Sequence, residues 1–434
     1  MLPDGPLSHP AGRIIRVVRR FGPARSLAAL LGTLTLALVG CFTLAERSPW
    51  RRVPGSDLPP EIEVGRVVRV RLLGSRDAPP KIEVTCPFQI TDSVDNRILR
   101  SPTVGLRVCT VSPTADGGLD LGDTHLTQGD VLLTPRRDAS IVVNGKTYRG
   151  LLRIRRTSDG VSLTNHVDVE SYLLGVLRGE LPRNFHPESF KAQCVAARTY
   201  VLYQMRLTPP ERTFDVYDNE GSQMYIGVAG EGPKTVRAVD ETRGQTCVWN
   251  DHGIDRIFCT YYSSACGGLS QHVNNIKPND PNVPPLAGNI VCNDCYLARF
   301  YRWPPLRISK SELTKRIVAR YPSIARLGTI VGLKPKELTS DGRIIRIHLD
   351  GSTGQNETLI GEDFRLCVGG RILKSTNFAI EAQPDYFVFG NGKGFGHGVG
   401  LCQNGMETKA RRGMSYDRIL SFYYPASKLK TLYR

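Results

Sequence analysis

The sequence comprises 434 residues, of which 40% are hydrophobic and 23% are charged. These values exclude a largely disordered chain, and a chain of this length usually forms at least two packed units. The net charge is +16, of which residues 1–52 contribute +6 from eight arginines against Asp4 and Glu46. A basic protein suits an acidic polymer, but the rest of the sequence has no zinc-finger spacing, RNA-binding aromatic motif or long Lys/Arg run, which argues against a nucleic-acid partner.

The N-terminal segment predicts export. Arginines precede an uncharged and mostly apolar stretch from Ser26 to Ala45, and such a stretch is an export signal or a membrane anchor. Twenty residues can just span a bilayer as a helix, whereas the sequence LVGC ending at Cys41 resembles a bacterial lipobox, in which the cysteine is lipidated. Residues 1–52 are therefore predicted to attach an exported protein to the membrane by one of these two routes, with a Pro-rich tether, and the expected location is the cell envelope.

Residues 61–159 predict a β-rich domain. The segments VGRVVRVRL and ASIVVNGKTYRGLLRI alternate apolar and polar residues, and Gly and Pro turns separate the strands. No catalytic constellation is present in this region.

Two helices are predicted next, one over VDVESYLLGVL and one from Pro187 to about Met205, since proline suits a first helical turn. Glu180 lies between them in GELPRNF, outside both predicted helices and among apolar neighbours. Desolvation by such neighbours raises a carboxyl pKa, and a carboxyl that keeps its proton near neutral pH can act as a general acid on a glycosidic oxygen. The alternative is a loop carboxylate that faces water or a helix N-terminus.

Residues 307–385 predict an inserted α+β unit, with a helix through ELTKRIVARY and short strands such as GRIIRIHLDG. Farther along, a helix is predicted from Gln403 to Arg411, stopped by Gly413, and Ser415 is a candidate cap for a short last helix.

Glycine occupies every even position from 390 to 400. This register excludes both common phosphate-loop fingerprints, which need two glycines five apart. A spacing of two is the period of a strand, so the run predicts an extended segment with one face free of side chains and His397 at its edge. Either a ligand approaches this face, or the run is a glycine-rich turn packed on a neighbouring element.

Cysteines suggest a second site. Cys266 and the pair Cys292-x-x-Cys295 supply three thiols, and His272 or Cys259 is able to complete a tetrahedral structural zinc site. In an exported protein, a disulfide between Cys292 and Cys295 or to Cys266 is the alternative. A further disulfide between Cys86 and Cys109 is a hypothesis for the β-rich domain, and no organic cofactor is predicted.

Two long blocks, YLLGVLRGELPRNFHPESFKAQCVAARTY and GFGHGVGLCQNGMETKARRGMSYDRILSFYY, resemble the signature blocks of the SpoIID/LytB family in their order. The shorter motifs QMYIG, YYSSACGG, GEDFRLCVGG and LKSTNF resemble that family's intermediate motifs, so the resemblance covers residues 61–434. It implies a multi-unit α+β fold in which residues 160–306 and 386–434 are two halves of a mixed α/β core, preceded by the β-rich domain and interrupted by the β-rich inserted unit.

The resemblance also implies a cell-wall function. The sporulation protein D branch consists of lytic transglycosylases that cut peptide-free peptidoglycan strands, and the family's catalytic acid maps onto Glu180. His397 and Gln403 would orient the glycan or the acid, Gly396 and Gly398 would leave room for sugar, and Arg198 is a further candidate for substrate binding. Valine at either glycine is then expected to harm cleavage more than folding.

The LytB branch implies the alternative, a non-catalytic glycan-binding protein that stimulates a wall amidase as its partner. Two departures from the family pattern affect the substrate detail. Leu401-Cys402 stands where the family usually has Met-Ser, and Asn404 stands where it usually has Tyr.

Overall fold

The computed structural model describes residues 66–73, 79–136 and 140–433. The predicted export segment, including Cys41, lies outside the described residues. Within the described ranges, no helix is both long and apolar enough to cross a membrane.

The N-terminal part of the chain forms two sheets, with the strand orders β13-β1-β12-β11-β8-β3-β4 and β10-β9-β2-β5-β6-β7. Side-chain alternation explains these strands: in KIEV at 81–84, Ile82 and Val84 are buried while the intervening charged residue is not. The strands are β1 (Val67–Leu73), β2 (Lys81–Val84), β3 (Phe88–Asp92), β4 (Ile98–Arg100), β5 (Leu106–Pro113), β6 (Leu119–Leu121), β7 (Thr124–Leu126), β8 (Asp130–Pro135), β9 (Ile141–Val143), β10 (Lys146–Tyr148), β11 (Leu151–Thr157), β12 (Gly160–Asp168) and β13 (Val216–Tyr217).

Strand β12 extends the sheet beyond the predicted end of the β pattern near Asp159. It pairs antiparallel with both β1 and β11. The polar residues Thr164 and Asn165 are buried in it, which hides the apolar alternation in the sequence. The Asn165 amide is satisfied there by donating to the backbone oxygens of Arg149 and Leu151.

Seven α-helices occur in the described residues: α1 (Val169–Glu180), α2 (Pro187–Leu207), α3 (Pro233–Glu241), α4 (Lys310–Arg320), α5 (Gly361–Val368), α6 (Gln403–Arg411) and α7 (Tyr416–Tyr423). Short 3₁₀ helices span Gly227–Gly230, Val273–Asn275, Pro284–Leu286, Asn293–Cys295 and Pro322–Leu327. The prediction of α2 is confirmed, with proline in its first turn and the stripe of Phe190, Cys194, Ala197 and Val201 fully buried. The placement of Glu180 outside both helices was wrong, because α1 ends on it.

The remaining strands form small sheets, with the orders β15-β14-β26, β16-β25, β17-β24, β18-β23-β22 and β19-β20-β21. The last strand, β26, was not predicted. The strands are β14 (Gln245–Asp251), β15 (Ile254–Ile257), β16 (Tyr262–Ser263), β17 (Arg302–Trp303), β18 (Leu306–Ser309), β19 (Ile330–Leu338), β20 (Ile344–Gly351), β21 (Asn356–Ile360), β22 (Ala379–Ala382), β23 (Tyr386–Gly390), β24 (Gly392–Lys393), β25 (Leu401–Cys402) and β26 (Ser427–Thr431).

Two hydrophobic cores organise the described residues. The larger core joins the N-terminal sheets to α1, α2, α6 and α7. The smaller core contains residues from Trp303 to Phe389, including side chains of α4, α5 and β18–β23, and so overlaps the predicted inserted unit at 307–385. Helices and several separate sheets in one chain confirm the α+β, multi-unit class.

Candidate active site and cysteine cluster

Glu180 is positioned by the last turn of α1. The helix begins at the Asp168 cap, whose carboxylate accepts hydrogen bonds from the backbone N–H groups of Glu170 and Ser171. Its apolar face is buried, including Leu173, Val176 and Leu177. Leu181 then turns into an extended conformation, which leaves the Glu180 side chain at the C-terminal end of a rigid element.

Three segments distant in sequence donate hydrogen bonds to the Glu180 carboxylate. Oε1 accepts from the backbone N–H of Met224 at 2.8 Å and from the hydroxyl of Tyr262 at 3.2 Å. Oε2 accepts from Nε2 of Gln403 at 3.4 Å. The structure therefore brings Glu180 and Gln403 together, which agrees with one of the two roles that the family resemblance implied for Gln403, and adds Tyr262 and Met224.

A second layer of polar side chains holds these donors. The hydroxyl of Tyr262 accepts from Nε2 of Gln223 at 2.9 Å, and Oε1 of Gln223 accepts from the Tyr172 hydroxyl at 3.1 Å. Gln403 also donates to Oε1 of Gln193 at 3.4 Å. Nε2 of the buried Gln193 has no hydrogen-bond partner among the described residues, so one donor beside the acid remains free.

Burial raises the pKa of the Glu180 carboxyl. The hydrogen bonds from Met224, Gln403 and Tyr262 act in the opposite direction, and the negative charge of Glu220 adds to the increase. The net direction is upward, so this carboxyl keeps its proton to a higher pH than an exposed glutamate, as a general acid requires.

His397 lies in the glycine-rich loop, and its imidazole is tied to that loop. Nδ1 accepts from the backbone N–H of Val399 at 3.0 Å, and the ring meets Tyr261 edge-on with centroids 5.7 Å apart. Burial lowers the pKa of His397 to about 4, so the imidazole is neutral at neutral pH. Among the described residues, Glu180 accepts hydrogen bonds from Met224, Tyr262 and Gln403 rather than from His397.

Beyond Gly392, which lies in β24, the glycine run is not the extended strand that its spacing predicts but the alternative, a glycine-rich turn packed on neighbouring elements. Gly394, Gly396, Gly398 and Gly400 have φ values of +86°, +101°, +78° and +69°, so alternate residues adopt the left-handed conformation that favours glycine. A Cβ at Gly396 would lie 2.7 Å from the Ser263 Cβ, and one at Gly398 would lie 2.9 Å from the guanidinium carbon of Arg343. The interpretation that these two glycines present an open face to sugar was wrong, because they pack against protein.

Arg198 does not line a substrate groove, which corrects the prediction from sequence. Its side chain has no solvent exposure, and it forms a bidentate ion pair with Glu170, with Nε–Oε1 at 2.8 Å and Nη2–Oε2 at 2.6 Å. The Tyr433 hydroxyl donates to the same carboxylate at 2.7 Å. Arg198 therefore links α1, α2 and the C-terminus inside the core.

Replacing Arg198 with methionine is expected to lower the free energy of unfolding by about 3–5 kcal/mol, because Glu170 would remain buried without its partner charge. Denaturant unfolding measures this loss. Arg237→Met is the control, because Arg237 is 70% exposed in its ion pair with Glu241. This substitution is expected to change the free energy of unfolding very little. Unchanged stability of Arg198→Met together with weakened glycan binding would restore the substrate-binding role.

Four buried thiols form a compact group, which we call the cysteine cluster: Cys266, Cys292, Cys295 and Cys402, whose sulfur atoms all lie within 4.8 Å of one another. His272 is not part of it, which corrects the proposed fourth ligand: its ring nitrogens hydrogen-bond to the backbone N–H of Asn274 and to Asn282. Cys259 lies elsewhere too, against Gln204. The cysteines of the cluster are not joined in disulfides, and neither are Cys86 and Cys109.

Sequence reasoning missed several residues of these two sites. Gln223 and Met224 lie in QMYIG, and Tyr262 lies in YYSSACGG, so the motifs were recognised without a role for each residue. Cys402 was noted only as a departure from the family pattern. Its position next to Gln403 was the signal that could have linked the cysteines to the acid.

Comparisons with protein families agree with these motifs. The model of the family described as Stage II sporulation protein, SpoIID, matches residues 157–249, which include α1, Glu180 and α2. A domain of unknown function, DUF8618, matches residues 292–400, from Cys292 to the end of the glycine run.

Three related proteins each match between 59% and 65% of this chain. An uncharacterised protein of Brachyspira hyodysenteriae is 31% identical over 284 residues, which are 65% of this chain and 72% of that protein. The amidase enhancer of Bacillus subtilis is 28% identical over 301 residues, covering 59% of this chain but 40% of the enhancer. Stage II sporulation protein D of the same organism is 24% identical over 278 residues, covering 61% of this chain and 75% of that protein.

The SpoIID match surrounds the acid, and the relatives include both an amidase enhancer and a stage II sporulation protein D. The chain belongs to the SpoIID/LytB family.

Proposed function

We propose that this protein is a lytic transglycosylase of the cell envelope that cleaves peptide-free glycan strands of peptidoglycan. The observation that carries the proposal is the partly buried Glu180 carboxyl, which has a raised pKa and is held by Met224, Tyr262 and Gln403. A single protonatable carboxyl fixed by donors from three segments is suited to acid–base catalysis.

In the first step, protonated Glu180 donates its proton to the glycosidic oxygen as the bond to the anomeric carbon breaks. Oε1 already accepts two hydrogen bonds, whereas Oε2 accepts one long bond from Gln403. The proton therefore resides on Oε2, the oxygen with fewer donors. Tyr262 and Met224 then stabilise the carboxylate that remains.

In the second step, the Glu180 carboxylate accepts the proton of the sugar's own 6-hydroxyl while that oxygen attacks the anomeric carbon. The carboxyl regains its proton, and the product carries a 1,6-anhydro end. The same residue acts first as acid and then as base, so this chemistry requires no second protein carboxylate.

Cations and aromatic rings beside the glycine-rich loop suit an acidic glycan. Lys374 lies 4.7 Å and 5.3 Å from the rings of Phe300 and Phe395, and its backbone oxygen accepts from Gly396 N–H, next to His397. Arg371 pairs with Glu220 at 3.0 Å. Sugar rings pack on aromatic faces, and these cations complement the lactyl carboxylate that each muramic acid exposes once its peptide is removed.

The amidase enhancer among the relatives supplies the competing function. A protein of that kind would bind the glycan and stimulate a wall amidase without cutting the strand. The raised pKa of Glu180 favours the enzyme, because a non-catalytic surface has no need for a carboxyl that keeps its proton.

Incubating the full chain with purified peptide-free glycan strands is expected to release products with 1,6-anhydro-muramic ends. Mass spectrometry distinguishes them from hydrolysis products, which are heavier by one water because water rather than the 6-hydroxyl attacks.

Products with reducing ends alone would make the protein a hydrolase. Glycan binding without any cleavage, combined with stimulation of an added amidase, would support the activator function and overturn the proposed one.

A further inference from the structure

The cysteine cluster draws together three segments of the chain. Cys266 follows β16, Cys292 precedes a single 3₁₀ turn that ends at Cys295, and Cys402 is the N-cap residue of α6. All four side chains are at most 1% exposed. Such convergence of thiols from separate segments is how proteins build tetrahedral zinc sites.

The spacing of the sulfur atoms suits zinc. With zinc–sulfur bonds of about 2.3 Å, tetrahedral geometry separates the four sulfurs by ~3.8 Å. Sγ of Cys266 and Sγ of Cys295 are 3.7 Å apart, and no pair in the cluster is more than 4.8 Å apart. A small adjustment would therefore close the shell around one ion.

Hydrogen-bond donors point at the sulfur atoms, which is a second, independent observation. Sγ of Cys402 accepts from the backbone N–H groups of Cys266 at 3.3 Å and Gly405 at 3.4 Å. Sγ of Cys266 accepts from Gly268 N–H at 3.4 Å. Backbone donors of this kind stabilise metal-bound thiolates and fix their orientation, whereas packed neutral thiols do not need them.

A buried positive charge lies beside the cluster. Arg343 is 1% exposed, and its guanidinium donates to the backbone oxygens of Cys266 at 2.6 Å and Gly396 at 3.2 Å. Four thiolates around Zn²⁺ carry a net charge of −2, so a zinc site would add to the negative charge that Asp341 and Glu362 already supply to this guanidinium.

We propose that Cys266, Cys292, Cys295 and Cys402 bind one structural zinc ion, and that this ion fixes the start of α6 and thereby holds Gln403 against Glu180. Binding replaces each S–H proton with a bond to zinc, so the thiols enter the site as thiolates and release their protons to solvent. Four sulfur ligands fill the tetrahedral shell, which leaves no position for a catalytic water. Metal binding itself is independent of the proposed function, and only its effect on cleavage rests on that function.

The test measures metal content in the full chain, purified under reducing conditions and without chelators. Elemental analysis is expected to find about one zinc per chain. Exchange for Co²⁺ is expected to give the intense thiolate-to-cobalt absorption of a tetrahedral sulfur site. Cys402→Ser is expected to weaken zinc retention against a chelator by 10-fold or more, with loss of that absorption.

Cys367→Ser is the matched control, because Cys367 is a buried thiol in the smaller core, outside the cluster. It is expected to retain zinc and cobalt absorption. Circular dichroism checks the fold of both variants, and the cobalt spectrum of the unsubstituted protein tests the site even if Cys402→Ser does not fold.

Unsubstituted protein that binds neither zinc nor cobalt, or that carries oxidised cluster cysteines in its native state, would overturn the proposal. So would full zinc retention in Cys402→Ser. If the protein binds zinc but cleaves no glycan, the metal site stands and the proposed enzyme function fails, so the two outcomes are distinguishable.

Discussion

Replacing Glu180 with glutamine is expected to lower the rate of 1,6-anhydro product release by about 10²–10⁴-fold or more, the usual contribution of a general acid. Glutamine has nearly the same size and its oxygen can still accept from Met224 and Tyr262, but its amide cannot transfer a proton to the glycosidic oxygen. Glycan binding is therefore expected to persist. Product release followed by mass spectrometry, and pull-down of the same strands, measure the two properties separately.

Glu188→Gln is the matched carboxylate control for this experiment. Glu188 lies in the first turn of α2, where it pairs with Lys191 at 2.8 Å and accepts from the backbone N–H of Tyr416. Its role is structural, so cleavage is expected to continue. Undiminished cleavage by Glu180→Gln, or equal losses in the two variants, would remove Glu180 from the mechanism.

Replacing Gly398 with alanine is expected to lower the free energy of unfolding by roughly 2–5 kcal/mol. The left-handed backbone costs an L-residue about 1–2 kcal/mol. The added methyl would also meet the buried guanidinium of Arg343 at 2.9 Å, and overpacking of this kind typically costs about 1–3 kcal/mol. Urea unfolding monitored by circular dichroism measures the sum.

Gly145→Ala separates these two contributions. Gly145 has φ +79°, nearly the +78° of Gly398, but a Cβ there meets nothing within 4 Å. This control is expected to show the backbone cost alone. Equal destabilisation by the two substitutions would mean that Arg343 moves aside easily, and an unchanged stability of Gly398→Ala with lost glycan binding would restore the sugar-facing interpretation of the glycines.

Local patterns in the sequence predicted a large part of this molecule. The helix α2 followed from Pro187 and from the apolar stripe that includes Phe190 and Val201, and the structure buries that stripe. Helical hydrogen bonds and side-chain faces involve residues only three or four apart, so their pattern is visible in the sequence. The predicted end of α1 was a few residues too early. The segment GELPRNF resembles a connecting loop in the sequence, but its first two residues still belong to α1.

Contacts between distant segments could not be predicted in the same way. Tyr262 and Gln403 reach Glu180 across 82 and 223 residues of sequence, and the bond from the Cys266 backbone to Cys402 spans 136 residues. No periodicity connects such residues. His272 was a reasonable zinc ligand by residue type, yet the fold directs it towards Asn282.

Motifs and local periodicity were enough to identify the family, the helix α2 and Glu180 as the candidate acid. Three features became visible in the folded chain: Cys402 completes the cysteine cluster, Arg198 is an internal ion-pair partner, and alternate glycines adopt a left-handed backbone beside Arg343. Burial, charge pairing and backbone φ depend on which segments pack together, and the spacing of residues along the sequence does not indicate which distant segments will meet.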